Sequence, residues 1–255
     1  MRARLARLEV NEKQFRIGAY LTLALMIAVV LTGAAVRLSD SGLGCATWPD
    51  CVGGHLTPPS GIHAAIEFGN RVFSSAVGVV SGVIAIMSLL RRPRRKDLIW
   101  LAWSQPVGVI AQAVLGGLTV REQLNPWFVM AHFMLSMVIL IFTVWLVWNA
   151  SHEPGTRARA PEHPRGDRVL IYSVRTLAAL CALTLIGGTM STGAGPHSGA
   201  HAGQHVGRLH FYGAHTLVWA IEQHATVAVV FGVATVLIWL LKRAMRKAQI
   251  AASIV

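Results

Sequence analysis

The chain has 255 residues, of which 54% are hydrophobic and 13% charged, and its formal net charge is +12. The apolar residues form long runs, which is typical of an integral membrane protein and excludes an ordinary soluble domain. Nearly all of the basic residues fall in the loops and terminal segments outside these runs. The charge therefore indicates membrane topology and attraction to anionic lipid, and we expect no nucleic-acid partner.

Six apolar stretches are long enough to cross the hydrocarbon core of a bilayer, which needs about 20 helical residues. They cover roughly residues 17–36, 66–90, 98–120, 127–149, 169–191 and 215–241. The predicted fold is therefore all-α, a polytopic membrane helical bundle with six transmembrane helices.

Lysine and arginine alternate between the two sides of the predicted bundle. Five precede the first span, five lie between the second and third, four lie between the fourth and fifth, and four follow the sixth. The other three loops hold one each. Because short basic loops stay in the cytoplasm, we predict that both termini are cytoplasmic and that the first, third and fifth loops face outward.

The first outward loop contains SGLGCATWPDC, residues 41–51, with two cysteines. Cytosolic buffers do not keep thiols reduced on the outer side, so a disulfide between Cys45 and Cys51 is feasible. Closing so small a ring stabilises by only about 2 kcal/mol in the chain-entropy model. A redox role and a plain loop staple are equally compatible with this spacing, and zinc is less favoured because only distant histidines accompany the thiols.

Polar residues inside the predicted spans indicate function, because hydrocarbon disfavours them. The second span opens with IEFGNR, in which Glu67 and Asn70 share a helix face and Glu67 and Arg71 are spaced for an ion pair. The fourth span contains His132 and the sixth contains His224. The competing interpretation is structural: hydrogen-bonded core histidines and an ion pair that holds a helix end.

The even-numbered spans present these residues at one level. With a rise of 1.5 Å per residue, Asn70, His132 and His224 all lie within about 14 Å of the outer surface. Histidines at matching depth in an apolar slot suit axial ligation of heme iron.

The odd-numbered spans also resemble one another, because each ends in a glycine-bearing stretch: TGAAV, LGGLT and IGGTM. This similarity predicts a repeated helical pair. The predicted domains are an N-terminal four-helix half, 1–150, a cytoplasmic linker, 151–168, and a second half with two helices, 169–255.

Several motifs together resemble the bacterial heme A synthases, in the form seen in actinobacteria: TGAAVRLSDSGLGCATWPDC, IEFGNR, GVIAQAVLGGLTVREQLNPWFVMAHFMLSM and QHA. The resemblance covers nearly the whole chain. It implies a membrane oxidoreductase of the bacterial plasma membrane that oxidises a methyl group of heme O to a formyl group, making heme A for terminal oxidase assembly.

The resemblance also implies roles for individual residues. Glu67 matches a glutamate proposed to act in the chemistry, and His132 matches the ligand of the half that holds the substrate heme. His224 matches a ligand of heme b, which handles electrons in the other half. Cys45 and Cys51 match a loop pair for which electron delivery or heme transfer is discussed.

Two further residues in the second span are candidates for binding the heme. Asn70 stands where many relatives have histidine, so we expect the substrate iron to depend on His132 or another group. Arg71, or alternatively Arg37, is a candidate partner for the heme propionates. Further expected partners are the lipid bilayer, heme O as substrate, heme O synthase, an electron donor and a second copy of the chain.

Members of the resembled family have eight transmembrane helices in two four-helix halves, whereas the present sequence predicts six. We therefore expect a truncated sequence that lacks the last two helices, one of which carries the histidine that pairs with His224. A non-catalytic heme b carrier or electron-transfer subunit is the alternative function, since the same histidines would serve it.

Overall fold

The computed structural model describes residues 9–55, 57–58, 60–152, 164–196, 199–200, 204 and 206–252. Its helices are α1 (Glu12–Leu38), α2 (Ile62–Leu90), α3 (Lys96–Arg121), α4 (Pro126–Ser151), α5 (Pro164–Ala194) and α6 (Thr216–Ala252), and a 3-10 turn, Gly213–His215, precedes α6. Each of the six contains a stretch long and apolar enough to cross a membrane. The predicted all-α fold with six membrane-length helices is confirmed, and the described residues contain no β-strand.

The helix ends follow from local sequence. At the start of α1, the Asn11 side chain accepts the N–H of Gln14 at 2.9 Å and the Gln14 side chain accepts the N–H of Asn11 at 3.0 Å, which forms a capping box. Pro126 occupies the first turn of α4, where its missing N–H costs nothing. All six helices extend beyond their predicted bounds at one end or both, and α6 does so most. α2 starts at Ile62, and α6 continues to Ala252 because its last turns are rich in Lys, Arg, Ala and Gln, which favour helix.

The chain divides into two compact units, Met1–Ala158 with Pro196–Arg208, and Arg159–Gly195 with Leu209–Val255. The predicted linker, 151–168, lies mostly outside the described residues, and its last part already belongs to α5. In the first unit, α1 packs against α2 and α4, and α3 packs against the same two helices. This arrangement is an up-and-down four-helix bundle.

One end of the first unit carries the basic segment between α2 and α3. Arg91 is buried there, with its guanidinium carbon 6.0 Å from the centre of the Phe15 ring and one of its nitrogens 3.8 Å from the Glu12 carboxylate. The carbonyl of Val10 accepts the N–H of Arg92 at 3.0 Å. The segment before α1 is therefore tied to the α2–α3 loop.

An apolar cluster fills the bundle at this end, with buried members Phe15, Ala19, Ile84, Leu98, Leu101, Ala102, Leu146, Val147 and Ala150.

The loops after α1 and α3 meet at the opposite end of the first unit. Leu43, Val120 and Leu124 form a buried apolar cluster there. The N–H of Gly42 donates to the carbonyl of Gly199 at 2.7 Å, so part of the segment 196–208 also contacts this end. The first and third predicted loops thus share one end, as an alternating topology requires.

The second unit is a helical pair formed by α5 and α6, which pack against each other. The N–H of Leu209 donates to the carbonyl of Gly193 at 3.0 Å, and Ala220 is buried between the helices. Many other large apolar side chains of the pair are exposed, among them Val229 and Trp239. Such a surface suits contact with lipid acyl chains.

A close crossing of α3 and α4 provides a stability prediction. A Cβ atom at Gly108 would lie 2.8 Å from Cγ1 of Ile139, whereas one at Gly82 would meet nothing within 4 Å. We expect Gly108→Ala to destabilise the bundle by about 1–3 kcal/mol through overpacking. The control Gly82→Ala is expected to stabilise by up to about 1 kcal/mol, because alanine favours helix. Thermal unfolding in detergent measures both, and equal melting temperatures would contradict the crossing.

Candidate functional site

The loop after α1 is closed by a disulfide between Cys45 and Cys51, which confirms that these two thiols pair. Both cysteines are buried, at 0% and 1% exposure. Backbone bonds keep the loop compact: the N–H of Thr47 donates to the carbonyl of Cys51 at 3.3 Å, and the N–H of Cys51 donates to the carbonyl of His55 at 3.0 Å. We call residues 45–51 the disulfide loop. Among the described residues, no cluster of three or more His, Cys, Asp or Glu side chains could hold a metal ion.

Glu67 connects the disulfide loop to α2. Its carboxylate is buried, and one oxygen, Oε2, accepts the backbone N–H of Cys45 at 2.7 Å. The other oxygen, Oε1, accepts Nη2–H of Arg71 at 2.5 Å and Nε–H at 3.1 Å. The ion pair expected from the four-residue spacing is present, and it faces the loop.

Arg71 uses all of its N–H groups within the chain. Besides the two bonds to Glu67, Nη1 donates to the carbonyls of Thr47 at 2.8 Å and Asp50 at 3.0 Å, and Nη2 donates to the carbonyl of Cys45 at 3.3 Å. A guanidinium has five N–H donors, so these five bonds occupy its full capacity. All five donors of Arg71 are therefore directed at groups of this chain, and its expected contact with a heme propionate stays a prediction.

Two glycines allow the loop region to lie close against the bundle. A Cβ atom at Gly44 would lie 2.3 Å from the carbonyl oxygen of His63, in the first turn of α2. A Cβ atom at Gly117 would lie 2.7 Å from the ring of Trp48, a residue of the disulfide loop. The disulfide loop therefore contacts α3 directly, while the residue just before it presses on the start of α2.

Asn70 lies one helical turn from Glu67 but has different neighbours. Its Oδ1 accepts the hydroxyl of Thr32, on α1, at 2.8 Å. The two side chains line a groove of about 220 Å³, whose other lining residues are Ala35, Val36, Ile66, Gly69 and Phe73. Asn70 therefore belongs to an apolar groove between α1 and α2.

His132 lies between α4 and α3. A Cβ atom at Gly116 would lie 3.2 Å from its Cε1, so glycine makes room for the ring. Nδ1 of His132 is buried without a hydrogen-bond partner among the described residues. Gln112 holds the α4 backbone at this level, because its Nε2 donates to the carbonyl of His132 at 3.0 Å and to Oγ of Ser136 at 2.6 Å. A buried imidazole nitrogen with no partner is uncommon and suits a ligand-binding group.

His224 has a comparable setting in the second unit. Cβ atoms at Gly187 and Gly188 would lie 3.3 Å from its Cα and 3.1 Å from its Cε1, respectively. Its Nδ1 lies 3.0 Å from the carbonyl oxygen of Thr184. Because a carbonyl only accepts, Nδ1 carries the proton, and the lone pair of Nε2 is left for a ligand.

The two histidines share one feature: each packs against a glycine of the preceding helix, Gly116 in α3 and Gly188 in α5. The residue four positions before that glycine bonds to the histidine in a different way in each case. The Gln112 side chain donates to the backbone carbonyl of His132, whereas the ring of His224 donates to the backbone carbonyl of Thr184. The sequence carries this signal as the repeated GG pair, from which only a repeated helical pair was predicted. The roles of Gln112 and Thr184 were not predicted, because a bond to or from a backbone carbonyl leaves no trace in residue type.

The predicted site residues fall into separate groups, and one of them lies in the second unit. Glu67, Arg71, Cys45 and Cys51 come together, whereas Asn70 bonds to α1. No hydrogen bond among the described residues joins His132 to these groups. His224 belongs to the second unit.

The fold and these groups define a class: a polytopic helical membrane protein with a disulfide-closed loop in one unit and, in each unit, a histidine packed against a glycine of a neighbouring helix. The chain belongs to the cytochrome oxidase assembly protein family (COX15-CtaA), whose family model matches residues 16–65 and 61–255.

Curated relatives of this chain are heme A synthases. That of Symbiobacterium thermophilum is 36% identical over 148 residues, 57% of this chain and 47% of the relative. Those of Alkalihalophilus pseudofirmus and Geobacillus kaustophilus are 28% identical over 165 residues and 31% identical over 143 residues, covering 64% and 54% of this chain and 56% and 44% of the relatives. The chain thus spans about half the length of the curated relatives it matches. No solved structure is detectably similar to it.

Asp50 gives the disulfide loop a pH dependence. Its carboxylate accepts the N–H of Gly54, and this bond, followed by one from the Thr47 hydroxyl, holds the pKa of Asp50 below its usual 3.8. A lowered folded pKa means that the stabilisation is complete above pH 3.8 and is lost as the pH falls through the folded value. We expect the Gly54 amide to lose protection from hydrogen exchange only at such acid pH.

Hydrogen-exchange mass spectrometry, corrected for intrinsic rates, measures this protection. Asp50→Asn should reduce protection at neutral pH and remove the acid step, whereas Asp40→Asn, in the turn after α1, should keep the step. An acid step of unchanged size in Asp50→Asn would show that another group titrates.

Proposed function

We propose that this chain acts as a heme A synthase, a heme-dependent oxidoreductase of the bacterial plasma membrane that oxidises a methyl group of heme O to a formyl group. The observation that carries the proposal is the pair of histidine settings, each packed on a glycine of a neighbouring helix. The relatives named heme A synthase support the reaction, and the disulfide loop is proposed to face outward.

The histidines fit a heme group. His132 offers a buried Nδ1 with no partner and lies beside Gly116, where a larger residue would displace its ring. His224 is oriented by the carbonyl of Thr184, as metal-binding histidines commonly are. We propose that His132 holds the substrate heme and that His224 holds heme b. A bound heme supplies redox chemistry, while the chain orients its ligands and excludes water.

Glu67 is the proposed catalytic residue. Converting a methyl to a formyl group removes electrons and protons from that carbon and adds one oxygen atom, so a nearby carboxylate can accept a proton or stabilise developing positive charge. In the present arrangement both oxygens of Glu67 are occupied by N–H donors. The proposal therefore requires the substrate carbon to approach the side of the carboxylate that these donors leave open.

Asn70 takes part in the proposal through the groove that it shares with Thr32. Its amide can hydrogen-bond a substituent of the porphyrin, but it is a poor iron ligand, so the substrate iron is proposed to rely on His132 from this chain. The oxygen atom is proposed to come from water, and a membrane electron acceptor takes the four electrons released as the methyl group becomes a formyl group.

Expression in a host that makes heme O tests the function. We expect heme A, or its hydroxylated precursor, in extracts analysed by chromatography, and a Soret band in the purified protein. His132→Ala should lower product by about 100-fold or more and weaken the band, because it removes a metal ligand. Glu67→Gln should lower product by about 100-fold with heme still bound.

His210→Ala is the matched control, since His210 is exposed and has no hydrogen-bond partner among the described residues. It should leave heme content and product unchanged. Heme b bound without any heme A or precursor would contradict the synthase and support the carrier. An unchanged Soret band in His132→Ala would refute the ligand assignment.

A further inference from the structure

The arrangement around Arg71 extends beyond an ion pair. Its guanidinium reaches three backbone carbonyls of the disulfide loop, those of Cys45, Thr47 and Asp50, and it also bonds to Glu67. We infer that Arg71 is a positioning residue that joins the disulfide loop and the Glu67 carboxylate into one unit, so that the state of the Cys45–Cys51 bond is transmitted to Glu67.

The connections form a closed circuit. Cys45 donates its N–H to Oε2 of Glu67, Oε1 of Glu67 accepts from Arg71, and Nη2 of Arg71 donates to the carbonyl of Cys45. No member can move away without breaking bonds to both others. Because Cys45 is itself one half of the disulfide, the carboxylate is located by a residue whose covalent state can change.

The two ends of the disulfide ring are held at different points. Nη2 of Arg71 binds the carbonyl of Cys45 at one end, and Nη1 binds the carbonyl of Asp50, the residue before Cys51, at the other. Cleaving the S–S bond removes the covalent link, and hydrogen bonds alone then hold the two ends near Glu67: these two, the bond from Cys45 to Glu67 and the backbone bond from Thr47 to Cys51. We call the bonds of Arg71 to Glu67 and to the three loop carbonyls the clamp. Reduction of the disulfide is therefore expected to loosen the bond of the clamp to Asp50 and to shift the Glu67 carboxylate.

Only arginine can supply this set of contacts. A lysine ammonium has three donors at one point, whereas the planar guanidinium presents five in a fixed fork. Arg71→Lys keeps the charge beside Glu67 but cannot reach the carboxylate and three carbonyls together. The conservative variant therefore separates the positioning role from charge compensation.

The rate of disulfide reduction tests the clamp without any heme. Membranes containing the full chain are treated with a phosphine reductant, and the freed thiols are counted over time by a mass-tagged maleimide. We expect reduction to be about tenfold faster in Arg71→Gln than in wild type, and at least about threefold faster in Arg71→Lys. If Arg71→Gln does not accumulate, Arg71→Lys carries the test.

Arg121→Gln is the matched control, because Arg121 is an exposed arginine at the same end of the bundle with no bond to the described residues. It removes the same charge and should leave the reduction rate unchanged. Wild-type rates in both Arg71 variants would overturn the clamp. An equal acceleration in Arg121→Gln would show a general charge effect and overturn it as well.

Infrared difference spectroscopy tests transmission to Glu67. The oxidised-minus-reduced spectrum of the wild-type protein should contain a carboxyl or carboxylate band that is absent in Glu67→Gln. A spectrum that is the same in both proteins would refute the coupling.

The inference rests on the proposed function only where it assumes that Glu67 has a catalytic role. The reduction rates and the infrared band are measured without heme A formation, so they hold or fail independently of the synthase assay. If the chain makes no heme A but shows the expected reduction rates and infrared band, the proposed function is refuted and the coupling of the disulfide to Glu67 is supported.

Discussion

The buried carboxylate of Glu67 is the constraint on which the disulfide-loop end of the first unit depends. A carboxylate removed from water must be compensated by donors, and this one receives them from Arg71 on its own helix and from the backbone of Cys45. Because the carboxylate needs these donors, the disulfide loop is held against α2. It also determines where the disulfide lies, because the N–H that satisfies Glu67 belongs to a disulfide cysteine.

Glycines allow the other close contacts at this end of the first unit. The contacts of Gly44 with the first turn of α2 and of Gly117 with Trp48 leave no room for any side chain. The same device recurs around His132 and His224, where a glycine on the neighbouring helix gives the imidazole its place. Small residues thus serve two purposes in these two units, namely helix approach and the accommodation of imidazole rings.

The sequence predicts the six helices well, because membrane-length apolar runs leave few alternatives, and the four-residue spacing of Glu67 and Arg71 indicates their ion pair. It leaves the cysteine pair open between several roles, because spacing does not show what a loop contacts. The bonds of Arg71 to loop carbonyls and of His224 to the carbonyl of Thr184 could not be predicted, since every residue type has a carbonyl. The greater length of α6 was missed because charge marks a membrane boundary and does not end a helix.

The bond between Gly42 and Gly199 has a consequence for biosynthesis. Four helices of the first unit leave the ribosome before residue 152, but the segment that covers Leu43, Val120 and Leu124 follows only after α5. During translation this apolar cluster therefore stays partly uncovered until α5 has been inserted into the membrane. Residues 196–208 belong to the first unit but follow α5 of the second unit in the sequence. The first unit can therefore complete its fold only after α5 has been made.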